Sequence, residues 1–123
     1  MAGMFLVNKH PAVVLFDSGA SHSFMSQAFA SRHDQQIIEV NKGGYNISSA
    51  GGTISTKKLV KNVLISIQGR EYTTDLIILP RLSISVILGM NWMKDHGALI
   101  DTSTRTVMLR EPKGGNAFLV PLS

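Results

Sequence analysis

The sequence predicts a mainly β domain with one or two short helices, and three observations predict it. Short apolar runs rich in Val, Ile and Leu recur along the chain, each closed by Gly, Pro or Asn. The segment from Leu59 to Ile67 alternates cleanly, with Val63, Ile65 and Ile67 on one side and Lys61 joining them at the start. Helical periodicity, by contrast, is confined to two brief stretches.

Phe5 to Val7 and Val13 to Phe16 are apolar strands flanking Asn8-Lys9-His10-Pro11, whose Asn and Pro mark a turn. The pair reads as an opening hairpin. In Phe24 to Arg32 the period changes. Phe24 with Ala28, and Met25 with Phe29, recur at i, i+4, which predicts a short amphipathic helix with Ser23 as its N-cap. Val40 to Thr56 carries Gly43, Gly44, Gly51 and Gly52 between β-favouring residues. It predicts a long hairpin with its tip near Ala50-Gly51-Gly52, where glycine supplies positive φ. Gln68-Gly69-Arg70-Glu71 is the next predicted turn. Tyr72 to Leu79 returns as a strand that Pro80 ends. Ile84 to Leu88 is a further strand, ending at Gly89. Met90 to His96 fits two helical turns closed by Gly97. Ala98 to Asp101 and Thr106 to Arg110 predict a last hairpin around Thr102-Ser103-Thr104-Arg105. Glu111 to Asn116 is a break, and Ala117 to Leu122 reads as a terminal strand or a tail. Residues 111–123 are therefore expected to be a C-terminal linker or an interface strand.

The 123 residues fit one domain, spanning 1–123, with a modest core for which 44% hydrophobic residues suffice. The longest apolar runs, such as Leu76 to Leu79, fall far below the ~20 residues that cross a bilayer, so no membrane partner is expected. The N-terminus has no charged region leading into a long apolar stretch, so no signal peptide is expected. Cysteine is absent, which removes disulfides, thiol nucleophiles and thiolate zinc sites, and permits a cytoplasmic location. Net charge is +4, from 12 Lys and Arg against 8 Asp and Glu. Only Lys57, Lys58 and Lys61 cluster, and no aromatic residues interleave them as a stacking platform needs. A solvated basic face explains them better than nucleic acid as a partner.

The chemistry concentrates in Val13-Val14-Leu15-Phe16-Asp17-Ser18-Gly19-Ala20-Ser21-His22-Ser23-Phe24. Four apolar residues run into an acid, and Gly19 then turns the chain. Charge at the end of a buried strand is costly unless it is satisfied, so Asp17 is the first candidate for chemistry. The four histidines, His10, His22, His33 and His96, show no metal-ligand spacing, and no metal or other cofactor is expected. Gly19-Ala20-Ser21-His22-Ser23 approaches a nucleophile elbow but has Ser where the last Gly belongs, and nothing else supplies the α/β pattern of that elbow. Trp92, Met90 and Met93 read as core or dimer packing.

In order, Val14 to Phe24, the flap-like Ser49-Ala50-Gly51-Gly52-Thr53, Val86-Ile87-Leu88-Gly89-Met90-Asn91-Trp92-Met93 and Leu99-Ile100-Asp101 resemble a retropepsin-like aspartic protease of a gypsy-type LTR retrotransposon. The resemblance implies a closed acid-protease barrel and a homodimer whose active site takes Asp17, Ser18 and Gly19 from each copy. Ala20 and Ser21 would line the substrate cleft, and Ala50, Gly51 and Gly52 would form the flap tip. Physics agrees that two copies are needed. An aspartic dyad holds two carboxylates that share a proton, and this chain has a single Asp-Ser-Gly. The sequence departs from the common retroviral pattern, which often has a second acid just after the alanine; here Ser21 and His22 stand there. The implied activity is endopeptidase cleavage of an extended peptide, with the element's Gag-Pol polyprotein as the substrate and retroelement particles as one location. The alternative is a catalytically silent module that keeps the fold for dimerisation and protein interaction.

Overall fold

Asn8 and Lys9 take positive φ of 46° and 70°, the combination of a two-residue type I′ turn. That turn folds the N-terminus into a hairpin, β1 (Ala2–Val7) on β2 (His10–Phe16). The strands are longer than the sequence predicts. His10 and Pro11, expected in the turn, belong to β2, where Pro11 lies exposed opposite Leu6. The computed structural model describes residues 1–49 and 52–123. The chain continues through β3 (Phe24–Ser26), α1 (Gln27–Arg32), β4 (Ile38–Glu39), β5 (Tyr45–Ser49), β6 (Gly52–Thr56), β7 (Lys58–Ile67) and β8 (Arg70–Leu79). It ends with β9 (Val86–Leu88), α2 (Met90–Asp95), β10 (Leu99–Asp101), β11 (Thr106–Arg110) and β12 (Ala117–Pro121).

Six strands close on themselves in the order β1-β2-β9-β3-β8-β7, because β7 also pairs with β1 through Leu6↔Ser66 and Val7↔Ile65. The result is a mainly β closed barrel with two short helices among the described residues. Asn8 seals the closure twice: its backbone N–H donates to Leu64 O at 2.8 Å, and its side-chain oxygen accepts from Leu64 N at 2.7 Å. Within the barrel β9 runs parallel to β2 and antiparallel to β3. A strand late in the sequence is thus inserted between two early ones.

Val14, Met25, Val63, Ile65, Ile67, Leu76, Val86 and Leu88 are fully buried and fill the barrel. Burying each such side chain contributes about 1.5–3 kcal/mol. Trp92 and Met93 of α2 cover one end, where Trp92 packs against Phe16 and Tyr72 with ring centroids 6.0 and 5.3 Å away. Val107, Leu109 and Val120 carry the same core into the three-stranded sheet β10-β11-β12. The bidentate Arg70–Glu111 pair, at 2.9–3.2 Å, clamps that sheet to β8. Arg70 also lies 3.8 Å over the Phe118 ring. β5 and β6 form a separate two-stranded hairpin.

Three sequence expectations change. Phe24–Ser26 is a strand because its backbone is wedged between β8 and β9 and bonds to both, which overrides the i, i+4 pattern. The helix starts three residues later, at Gln27, and Ser26 rather than Ser23 caps it, accepting from Phe29 N at 3.0 Å. A bulge between Val60 and Val63 turns Lys61 out to solvent and off the Val63 face. Ala50 and Gly51, two of the three predicted tip residues, lie outside the described residues. Among the described residues no helix is long and apolar enough to cross a membrane.

His96, half-buried, packs against Tyr72 and Trp92 at 4.7 and 4.6 Å. Burial lowers its pKa, and Asp95 opposes that shift. The pKa of His33 is lowered too, by burial first and then by the stacked His10. The unfolded chain therefore binds more protons than the folded one once pH falls to the ordinary histidine range. Stability is complete above about 6.5 and declines as pH drops through the folded-state values. The melting temperature is expected to fall between about pH 7.5 and pH 5, with a shallower slope in His96→Gln. Parallel slopes for the two proteins in thermal unfolding would remove His96 from this account.

Candidate active site

At the end of β2 the chain cannot continue straight. β9 lies alongside, and Asp17 N donates to Leu88 O at 3.0 Å as the last rung of that pairing. The chain must next reach β3, on the far side of β9. Residues 17–23 therefore cross over the end of β9, and Gly89 lies beneath the crossing. A Cβ at Gly89 would stand 2.1 Å from His22 O and 2.7 Å from Ala20 O, distances no side chain tolerates. The glycine that ends the Ile87-Leu88-Gly89 run is required by this contact.

The crossing is pinned along its length. Ala20 N donates to Asp17 O at 3.2 Å, and Met90 N donates to Ala20 O at 2.7 Å. The buried Ser23 hydroxyl accepts from Gly89 N at 3.0 Å and donates to Asn91 Oδ1 at 2.8 Å. Ser23 O also accepts from Ile77 N at 3.0 Å. The sequence offered Ser23 as a helix cap and did not single out Asn91. The one signal was a serine surrounded by residues destined for burial.

Asp17 is half-buried, and its Oδ1 accepts from Gly19 N at 2.9 Å. That bond supports the ionised carboxylate while leaving lone pairs for a reactant. A Cβ on Gly19 would approach the same oxygen to 3.2 Å. Asp17 lines a cleft of about 450 Å³ together with Gly19, Ala20, Ser21, His22 and Phe24. Asn46, Ile47 and Ser48 of β5 form the facing wall, and Leu79, Leu82 and Ile87 complete it. The lining thus joins one carboxylate and one imidazole to the apolar Phe24, Ile47, Leu79, Leu82 and Ile87.

The predicted residues divide as follows. Asp17, Gly19, Ala20 and Ser21 share the cleft. Ser18, the next residue after Asp17, instead lines a separate hollow of about 540 Å³ with Met90, Met93, Lys94, Ala98, Leu99, Ile100 and Arg110. Gly52, at φ 119°, pairs with Ser49 at the end of the described part of the β5–β6 hairpin. His22, Asn46 and Ser48 are cleft residues that the sequence reading did not assign to the site. The strand that carries Asn46 and Ser48 was legible, but its position opposite Asp17 depends on a fold-back that no local pattern encodes. Among the described residues no three His, Cys, Asp or Glu gather to hold a metal ion.

A family model described as retroviral aspartyl protease matches residues 1–115. The chain is 27% identical over 113 residues to mouse Protein DDI1 homolog 2 and 30% identical over 114 residues to Protein DDI1 homolog 2 of Xenopus tropicalis. Each match covers 92% of this chain but 28% of the relative, so the chain spans just over a quarter of those proteins. Among solved structures it is similar to EIAV protease complexed with the inhibitor HBY-793. That match has TM-score 0.66 and 26% identity, and covers 82% of this chain and 91% of that one. The retroviral protease-like domain of Ddi1 from Leishmania major shares the fold, at TM-score 0.66 and 16% identity, covering 98% of this chain and 94% of that one.

The crossing makes a sharp prediction. Gly89→Ala forces two backbone carbonyls apart and is expected to destabilise the fold by about 3 kcal/mol or more. Ser23→Ala leaves the buried Gly89 N–H unpartnered and is expected to cost about 1–3 kcal/mol. Denaturant unfolding of both variants checks this; wild-type stability in Gly89→Ala would contradict the packing described here.

Proposed function

The chain belongs to the retroviral aspartyl protease family, and from that premise we propose that it is an aspartic endopeptidase active as a homodimer, with Asp17 of each copy facing the other across a two-fold axis. The observation that carries this reading is the place of Asp17, the one acid lining the cleft among the described residues, held by Gly19 N–H. Amide hydrolysis needs a base for water and an acid for the carbonyl oxygen, and one carboxylate cannot be both at once. A two-fold axis beside Asp17 supplies the second group from the same gene.

Two carboxylates brought to about 3 Å cannot both stay ionised, so the pair holds one proton. The ionised member takes a proton from water as the water oxygen attacks the peptide carbonyl carbon. The protonated member gives its proton to the carbonyl oxygen. Collapse of the tetrahedral species returns a proton to the dyad, breaks the C–N bond and protonates the leaving amine. Gly19 allows substrate backbone to approach, Ala20 and Ser21 line the cleft, and the β5–β6 hairpin, with Gly52 at the start of β6, is the flap. Substrate in extended form would pair with strand edges there, its side chains falling alternately into the cleft. Ser18 would bond across the axis; in support, it is exposed and opens onto the hollow beside α2 rather than the cleft.

A second copy has a face to bind. Leu99, Met108 and Leu119 are 64%, 36% and 57% exposed. Leu99 sits opposite Met108, and Met108 opposite Leu119, so the three form one apolar row across β10-β11-β12. Leu99 also borders the hollow that holds Ser18, which makes the row continuous with the proposed axis. On this reading residues 111–123 serve the interface through Leu119.

For the substrate, the sequence resemblance points to the Gag-Pol polyprotein of a gypsy-type LTR retrotransposon. A substrate outside any retroelement is the second reading, and the similarity to DDI1 homologues over 92% of the chain favours it. Expression of the chain beside each substrate class, followed by mapping of cleaved bonds, separates the two.

Cleavage of an unfolded protein substrate tests the activity. Asp17→Asn is expected to lose about 10²–10⁴-fold in rate while keeping its melting temperature within a few degrees. Full activity in that variant would refute the dyad. Wild-type activity is expected to rise faster than linearly with enzyme at low concentration. Leu99→Asp and Leu119→Asp are expected to shift that curve to higher concentration and to sediment as monomers. Activity strictly proportional to concentration, from a monomeric species, would rule out the shared site.

A further inference from the structure

We propose that His22 sets substrate choice by taking a carboxylate side chain of the peptide bound in the cleft, an inference that rests on the cleft being the peptide site proposed above. His22 lies five residues beyond Asp17 on the same crossing and lines the same cleft, yet the hydrolytic chemistry does not use it. Its position is fixed more firmly than its exposure suggests. The main-chain carbonyl of His22 is the atom that packs most closely over Gly89, and the next residue, Ser23, is locked to Gly89 and Asn91. The backbone that carries the imidazole therefore cannot drift.

The ring is held on two sides. Its Nδ1 shares a 2.9 Å hydrogen bond with Ser21 Oγ, and Tyr45 of β5 meets it edge-on, with ring centroids 6.2 Å apart and planes at 65°. The second ring nitrogen, Nε2, has no hydrogen-bond partner among the described residues. When the Ser21 hydroxyl donates to Nδ1, the imidazole proton resides on Nε2, so the ring presents an N–H to the cleft; the imidazolium presents one too. A carboxylate ligand stabilises both of these states and the charged one most.

The surroundings select against other side chains. Among the described residues the only ionisable side chains lining the cleft are His22 and Asp17, so a substrate Lys or Arg beside His22 finds no further acid. Asn46 and Ser48 of β5 also line the cleft, with Asn46 Oδ1 accepting from Ser55 Oγ at 2.7 Å. Apolar substrate side chains are served by Phe24, Ile47, Leu79 and Ile87. The two-fold axis adds a geometric signature: one His22 flanks each side of the scissile bond. A preference for Asp or Glu should appear once on each side, at matching positions.

The experiment uses extended peptides whose scissile bond is replaced by a reduced, uncleavable linkage, with Glu, Gln or Lys placed in turn at each position. Affinity is measured by calorimetry on the wild-type dimer, His22→Ala and His22→Asp. Glu is expected to bind roughly three- to thirtyfold tighter than Gln at one position on each side, the range of a single charge-assisted hydrogen bond. His22→Ala is expected to abolish the difference, and His22→Asp to turn it into a preference for Lys at the same positions. A merely structural role for His22 would not invert the charge preference. Equal affinity for Glu and Gln everywhere in the wild type, a Glu preference that survives in His22→Ala, or no peptide binding at all each overturns the inference. Because the ligands are uncleavable, the result stands apart from hydrolysis. A chain that binds Glu peptides through His22 but cleaves nothing retains this inference and loses the protease reading.

Discussion

The whole site hangs on one close crossing, the passage of residues 17–23 over Gly89. Inserting β9 between β2 and β3 forces the chain leaving β2 to step across it, and the step is possible only because position 89 lacks a side chain. The contact is then made directional by Asp17 N to Leu88 O, Gly89 N to Ser23 Oγ and Met90 N to Ala20 O. Each of these buried or half-buried donors would be costly without its partner. Together they convert what would be a mobile surface loop into a fixed arc that carries Asp17, Ala20, Ser21 and His22 along one side of a cleft. α2 begins at the same point, so the helix that caps the barrel with Trp92 is tied to the loop that carries the acid. Core packing and site geometry are therefore one mechanical unit.

The same crossing separates Asp17 from Ser18. Two consecutive residues open onto two different hollows, the cleft under β5 and the apolar recess between α2 and β10. In the single chain the first holds one carboxylate, Asp17, among the described residues, and the second is a recess bordered by exposed Leu99. On the proposed reading one event, arrival of a second copy, completes both. The clamp of Arg70 on Glu111 and Phe118 matters here through geometry rather than energy, since a partly exposed ion pair contributes at most about 1 kcal/mol. It fixes the angle at which β10-β11-β12 projects from the barrel, and with it the direction of the apolar row.

Much of this was legible in the sequence, and the failures are instructive. Alternation in Val63, Ile65 and Ile67 named a strand because local pattern and tertiary demand agree there. The apolar run ending in Asp17-Ser18-Gly19 singled out an acid that lines a cleft in the structure, because a charge at a strand end is anomalous wherever it occurs. Phe24–Ser26 misled because its i, i+4 spacing is helical while its neighbours in space, β8 and β9, come from more than fifty residues away. Lys61 misled because one bulge, at Asn62 with φ 54°, resets the inward face. Ser23 and Asn91 share a hydrogen bond across 68 residues, and no single-sequence period can report that. What the sequence hides is consistently long-range: which strand inserts where, and hence which polar side chains meet.

The half-exposed setting of Asp17 in the single chain carries a last consequence. Asp17 has solvent on one side and accepts from Gly19 N–H on the other. Among the described residues no second carboxylate lines its cleft, so the lone chain holds no dyad. The divided proton of a dyad arises only when a like charge is brought within about 3 Å in a water-poor gap. The reactive state would thus belong to the assembly and to no residue of the folded chain. The free energy of association would have to outweigh the repulsion between the two acids, and a bound proton relieves most of that repulsion. Dimerisation and proton uptake would then be linked, each favouring the other. The apolar row of Leu99, Met108 and Leu119 is what the chain offers toward that balance. On the proposed reading a row of that modest width would leave the folded domain inert when dilute and active when concentrated.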